Sequence, residues 1–268
     1  MMFETVTTVA GHAGYPLQIR EYVPAGDTTA DVLLLHGVVS HSEWLAGIAR
    51  PLAERGYRVL CPDRRGVALN TRAPGDTPGV EALLGDVEAV VAARVAPERP
   101  LHFGGFCWGA TYAINVLERG QVSADSLLLL APSIFPAGDV GGADLVADER
   151  GEPLCVPNVP IDRFTRGPAY ADYIVPDPLR TRHVSPRFNQ AMIDMNRMLG
   201  PRLAKLPQDK LAILASDDRL SDNNKHQRAL QSIRRGANQV AVVPGEHGIQ
   251  FDAPEAVTTL LTEWMREH

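Results

Sequence analysis

Short, almost wholly apolar runs recur along this chain: DVLLLHG (31–37), YRVLCPD (57–63), LHFGGF (101–106), SLLLLAP (126–132), KLAILASDD (210–218) and QVAVVPG (239–245). A strand that alternates apolar and polar residues shows one face to water, whereas a run without alternation is buried on both faces. Between successive runs lie stretches with apolar residues three and four apart, such as GVEALLGDVEAVVAARV (79–95). Buried strands alternating with amphipathic helices predict an α/β protein, a mainly parallel sheet flanked by helices.

Other elements extend the pattern. VTTVAGHAG and PLQIREYVP predict a hairpin near the start, and helices are expected around EWLAGIARPLAERG, from Trp108 to near Gly120, around NNKHQRALQSIRRG, and from Pro254 to Glu267. After SLLLLAP the rhythm breaks. Residues 133–206 carry many prolines and no clear strand, in an insert too long for a simple connection. They are expected to form a cap or lid of short helices, leaving 1–132 and 207–268 as the core domain.

Composition narrows the function classes. A formal charge of −6 gives no electrostatic reason to expect a nucleic acid or an anionic membrane surface as partner. No apolar run approaches the roughly 20 residues of a membrane span, and MMFETVTTVAGHAGYPL lacks the basic start and apolar core of a signal peptide. The three cysteines, Cys61, Cys107 and Cys155, are too few for a disulfide framework, so a reducing, cytoplasmic setting is expected. There is no metal-ligand spacing or phosphate-binding motif, and GGFCWG lacks the third glycine of a dinucleotide fingerprint, so no cofactor is expected.

The chemistry concentrates at Gly105-Phe106-Cys107-Trp108-Gly109, where a strand runs into a helix. A nucleophile on such a corner needs small neighbours, because larger ones collide with the adjoining strand and helix. The helix N-terminus behind it favours negative charge, which suits a thiolate. A nucleophile also needs a base, and the base an orienting acid. His247, in PGEHGIQ, and Asp218, in ASDDRLSD, each follow a predicted strand, so Cys107, Asp218 and His247 all fall on the ligand-binding edge of an open α/β sheet. Their order is nucleophile, acid, histidine. Val38, after His36-Gly37, and Trp108 are placed to offer backbone N–H groups to an oxyanion.

These motifs carry a resemblance. LLLHGVVSHS (33–42), PDRRGVALNTR (62–72), GGFCWGA (104–110), DPL (177–179), ASDDRLSD (215–222) and GEHGIQFD (245–252) together resemble, in order and over nearly the whole chain, the monoacylglycerol-lipase and lysophospholipase branch of the α/β-hydrolases. The resemblance implies an α/β-hydrolase fold, with Cys107 as nucleophile, Asp218 as acid, His247 as base, and Val38 and Trp108 as oxyanion donors. The chain departs from that branch in its cysteine, since serine is usual there, and in the bulk of Trp108. Cysteine-bearing relatives include dienelactone hydrolases and thioesterase-like enzymes of biosynthetic acyl chains.

Other residues have blander readings. His36 reads as a strand-end residue, Asp222 as the cap of the following helix, Cys61 as core, Cys155 as a chance thiol, and the PDRRG turn as a loop brace. Met192, Met195 and Met198 at helical spacing read first as packing, and second, with Tyr170 and Tyr173, as an adaptable apolar substrate wall. His41, near the proposed oxyanion loop, is a further pocket candidate.

The expected reaction is acyl transfer or hydrolysis through a cysteine acyl-enzyme. A thiolate is a better leaving group than an alkoxide, so attack on an unactivated ester tends to revert, whereas thioesters, lactones and activated esters exchange freely. The expected partner is a small acyl substrate, delivered free or as a carrier-bound thioester, in specialised, polyketide-like metabolism. The alternatives are a carboxylesterase or lipase, a non-covalent lyase, cyclase or carbon–carbon bond-forming enzyme using the same pocket, and a non-catalytic binding protein on the same scaffold.

Overall fold

The computed structural model describes residues 1–167 and 172–268. Its main sheet has eight strands in the order β1-β2-β4-β3-β5-β6-β9-β10. These are β1 (Met2–Ala10), β2 (Pro16–Pro24), β3 (Ala30–Leu35), β4 (Tyr57–Pro62), β5 (Leu101–Phe106), β6 (Ser126–Leu130), β9 (Asp209–Ala215) and β10 (Asn238–Val243). β1 and β2 form the expected antiparallel hairpin, and β2 lies antiparallel against β4. From β4 across to β10 every pairing is parallel. The apolar runs explain this layout: β3, β5 and β6 are buried at every position, with Leu127, Leu128, Leu129 and Leu130 wholly inaccessible. Only a strand covered on both faces can use such a sequence.

Helices α1 (Ala46–Glu54), α2 (Val80–Arg94), α3 (Trp108–Arg119) and the closing Pro254–Glu267 helix flank the sheet. From β3 the chain first adds β4 on one side, then crosses back to place β5 on the other. The strand order thus reverses between β3 and β5, and their C-terminal loops, which hold Val38 and Cys107, face each other there. Ligands of open α/β sheets bind at this kind of crevice.

The segment between β6 and β9 differs in one respect from the sequence reading. It contains the helices Pro186–Asn196 and Leu199–Lys205, and also an antiparallel hairpin, β7 (Ala143–Ala147) with β8 (Pro153–Pro157). Four of the five β7 residues are exposed, so no buried face imposes the alternation by which a strand is recognised. The insert is stitched to the core at several loops. Ala137 donates its N–H to the Leu220 carbonyl at 2.9 Å, Thr181 to Val39 at 3.0 Å, and Gly248 donates to Phe164 at 2.5 Å. No helix among the described residues is long and apolar enough to cross a membrane.

Candidate active site

Cys107 ends β5 and caps α3, with φ 57° and ψ −123°. A non-glycine residue pays strain for this conformation, and the surroundings hold it there. A Cβ on Gly105 would lie 2.4 Å from the Gly109 carbonyl carbon, and one on Gly109 would lie 2.1 Å from the Leu35 carbonyl oxygen. The small residues flanking Cys107 are therefore demanded by the closeness of β3, β5 and α3. The loop after β3 also comes close: a Cβ on Gly37 would lie 3.1 Å from Cys107 Cβ and 3.4 Å from its Sγ.

His247 follows β10 and Asp218 follows β9, and the two meet. Imidazole Nδ1–H donates to Asp218 Oδ2 at 2.8 Å, with both side chains inaccessible. The other carboxylate oxygen, Oδ1, accepts the backbone N–H groups of Leu220 at 2.8 Å and Ser221 at 3.0 Å. Burial opposes charge on this carboxyl, but His247 and those N–H groups outweigh it and hold Asp218 below its usual range. Burial likewise pushes His247 down; the Asp218 charge and the Cys107 sulfur reverse that and raise it to about 10. Among the described residues Nε2 has no nitrogen or oxygen partner, which leaves it for the sulfur. The ring is wedged between Phe106 and Phe164, each with its centroid 5.2 Å away.

Cys107, His247, Val38 and Trp108 line one cleft, together with Ser133, Met192, Asn196 and apolar residues of the β6–β9 segment. Counting its open mouth, the cleft holds about 580 Å³. Trp108 is the first residue of α3, where a backbone N–H has no acceptor within the helix. Its indole N–H donates to Asn196 Oδ1 at 3.2 Å, which fixes the bulky ring as cleft wall.

The remaining pocket candidates separate. Met192 is in the cleft wall. Met195 is buried on the same helix, packed away from the cleft with its carbonyl accepting Asn115 Nδ2–H at 3.0 Å. Tyr173 is 40% exposed, at the edge of Phe251, and Met198 is 67% exposed beyond the helix end. Tyr170 lies outside the described residues. His41 is not a cleft residue: its Nε2–H donates to Asp177 Oδ2 at 2.8 Å, an oxygen that also accepts the Trp44 indole N–H at 2.7 Å. Nearness along the chain to the oxyanion loop did not bring it to the site, because a buried carboxylate 136 residues away claims the ring.

The bland readings of the other residues fit their contacts. Asp222 accepts the Lys225 N–H at 3.0 Å as helix cap, Arg65 pairs with Asp86 at 2.6 Å inside the protein, and all three cysteines are free and buried. Among the described residues, no three His, Cys, Asp or Glu side chains are grouped to hold a metal ion. Glu246, which the sequence reading passed over, is buried beside His247 and bonded to Arg166 and Arg219.

A family model described as serine aminopeptidase, S33 matches residues 26–253. A curated Dictyostelium discoideum protein, described as an uncharacterized abhydrolase domain-containing protein, is 26% identical over 130 residues. That stretch is 48% of this chain and 14% of the other, so the chain spans a small fraction of this relative's length. Among solved structures, a soluble variant of monoglyceride lipase from Saccharomyces cerevisiae, in complex with a substrate analog, superposes with a TM-score of 0.82. It is 15% identical, covering 100% of this chain and 96% of the other. A Paleococcus ferrophilus monoacylglycerol lipase gives 0.78 at 14% identity, covering 92% and 97%. A thioesterase domain from the curacin biosynthetic pathway gives 0.63 at 15%, covering 98% and 99%. At these identities the structural likenesses establish the fold.

Proposed function

The chain belongs to the serine aminopeptidase S33 family of α/β-hydrolases, and from that premise we propose that it transfers or hydrolyses acyl groups through a Cys107 acyl-enzyme. The observation that carries this reading is the gathering of Asp218, His247 and Cys107 at the C-terminal ends of β9, β10 and β5, on one edge of the sheet, with a 2.8 Å hydrogen bond on one side of the imidazole.

The Cys107 proton passes to His247 Nε2, and Sγ attacks the acyl carbon. The carbonyl π electrons move to its oxygen, which the N–H groups of Val38 and Trp108 receive. In enzymes that use such donors, losing one costs roughly a hundredfold or more in rate. As the tetrahedral intermediate collapses, the leaving thiolate or alkoxide departs and takes the proton from Nε2. Water then attacks the thioester, His247 accepts its proton, and Cys107 leaves as the acid is released. Asp218 stabilises the imidazolium and keeps its ring in place in both halves.

The cleft lining supports an uncharged, apolar acyl group, because Val38, Val140, Val159, Met192 and Leu220 face it and its polar members beyond the triad are Ser133 and Asn196. We place activated acyl donors first, free or carrier-borne thioesters above all, with oxygen esters as the second class. Steady-state hydrolysis of matched thioesters and oxygen esters tests this. The native enzyme is expected to favour the thioester, Cys107→Ser to shift toward the oxygen ester, and Cys107→Ala to be inactive. Turnover that survives Cys107→Ala removes covalent catalysis and leaves non-covalent chemistry by His247.

A further inference from the structure

Arg64 is a buried cation whose hydrogen bonds go to carbonyl oxygens. It is 6% exposed, and among the described residues it forms no ion pair. Its Nη1–H donates to the Gly37 carbonyl at 3.3 Å and its Nη2–H to the Val38 carbonyl at 3.0 Å, while Nε is buried without a partner. The guanidinium centre lies 4.6 Å from the Phe188 ring and 5.5 Å from that of Trp108. Burial lowers its affinity for its proton, to about 10, yet leaves it charged at neutral pH. Tyr112 and Asp63 favour its charge at a distance, but among the described residues no carboxylate bonds to it. A buried charge without a bonded carboxylate is expensive to hold, so its placement calls for a role other than stability.

The carbonyls it holds supply one. Gly37 C=O and Val38 N–H belong to the same peptide unit, and in a trans amide they point in opposite directions. The Gly37 oxygen receives Arg64 from one quarter and His36 Nδ1–H, at 2.8 Å, from another. His36 is set in that tautomer because its Nε2 accepts the Arg64 backbone N–H at 3.0 Å. Donors on an amide oxygen draw electron density from the nitrogen, so the N–H across the bond becomes a stronger donor.

We propose that Arg64 is a positioning residue for the oxyanion site, orienting and polarising the Gly37–Val38 peptide so that its N–H meets the negative oxygen formed on acyl transfer. This rests on the reading of Cys107 as nucleophile with Val38 as oxyanion donor. It assigns to the third position of the PDRRG turn a part in the reaction, and through Phe188 it ties that part to the seating of the Pro186–Asn196 helix.

Two rates on the same sulfur test it. Acyl loading from p-nitrophenyl acetate or an N-acetylcysteamine thioester builds an oxyanion, whereas alkylation by iodoacetamide does not. Both are read at Cys107 by peptide mass mapping, with Cys107→Ala as background. Arg64→Gln is expected to slow loading by roughly tenfold or more while alkylation changes by less than about threefold. Arg64→Lys, which keeps the charge without the planar fork, is expected to recover part of the loss. Loading that is unchanged, or loading and alkylation that fall together, overturns the proposal. If Arg64→Gln does not fold, Arg64→Lys decides by the same comparison, with slowed loading and preserved alkylation expected. A native enzyme that is alkylated at Cys107 but never acylated overturns the acyl-enzyme reading itself, and this proposal with it.

Discussion

At the scale of single residues, the His247–Asp218 contact makes a pH-dependent prediction. Burial opposes charge on both groups, and each is nevertheless shifted toward its charged form, His247 from 6.5 to about 10 and Asp218 below 3.8. The raised imidazole binds its proton more tightly in the folded chain, so its stabilisation is complete below 6.5 and is lost as pH rises through about 10. The depressed carboxyl contributes above 3.8 and fades as pH falls. Asp218→Asn removes the charge behind both shifts. The gap in Tm between the native protein and this variant should be widest between 3.8 and 6.5 and should narrow steadily toward pH 10. A gap independent of pH would mean that the two groups are not ionically linked. The three strand-end positions were legible beforehand because each follows an apolar run, buried in β5 and β9 and partly exposed in β10. The bond of His41 to Asp177 was not legible, because it is long-range and sequence spacing carries no trace of it.

At the scale of elements, three loops are clamped beside the site. Glu246, 3% exposed, accepts Arg166 Nε–H at 3.0 Å and Arg219 Nη2–H at 2.7 Å. Arg166 comes from the β6–β9 segment and also reaches Asp217 at 3.2 Å, while Arg219 adjoins Asp218. The histidine loop, the acid loop and the insert are thus tied through one buried carboxylate. Removing Arg219 strands part of that charge, whereas removing the charge itself makes the arginine dispensable. Arg219→Ala should therefore lower Tm by several degrees in the native background and by much less in Glu246→Gln. Equal losses in both backgrounds would show that the clamp does not couple them. This network was invisible in sequence, since its members lie 27 and 80 residues apart. By contrast LHFGGF and the Pro254–Glu267 helix were readable to the residue, one from unbroken burial and the other from its proline start. The β7–β8 hairpin was missed, because β7 is exposed at four of its five positions and β8 is only five residues long with a proline at each end.

At the scale of the whole molecule, one of the contacts that seat the β6–β9 segment is Asp177, whose Oδ2 receives both His41 and Trp44 and whose Oδ1 receives the Leu179 N–H at 2.9 Å. His41 and Trp44 are each 1% exposed, so losing the acceptor leaves buried donors unmet. Asp177→Ala is expected to cost about 2–4 kcal/mol and to raise KM for an acyl donor more than it lowers kcat, because the segment forms cleft wall rather than triad. Asp177→Asn, which keeps one oxygen, should cost less. An unchanged Tm in Asp177→Ala would show that the segment is seated by other contacts.

The acyl-enzyme chemistry requires that the sulfur at the β5–α3 corner carry the acyl group. Intact-protein mass spectrometry after brief exposure to acyl thioesters and activated esters reads this directly. A mass gain of one acyl group is expected on the native protein and none on Cys107→Ala. Product release at equal rates by both proteins, with no adduct on either, would contradict it.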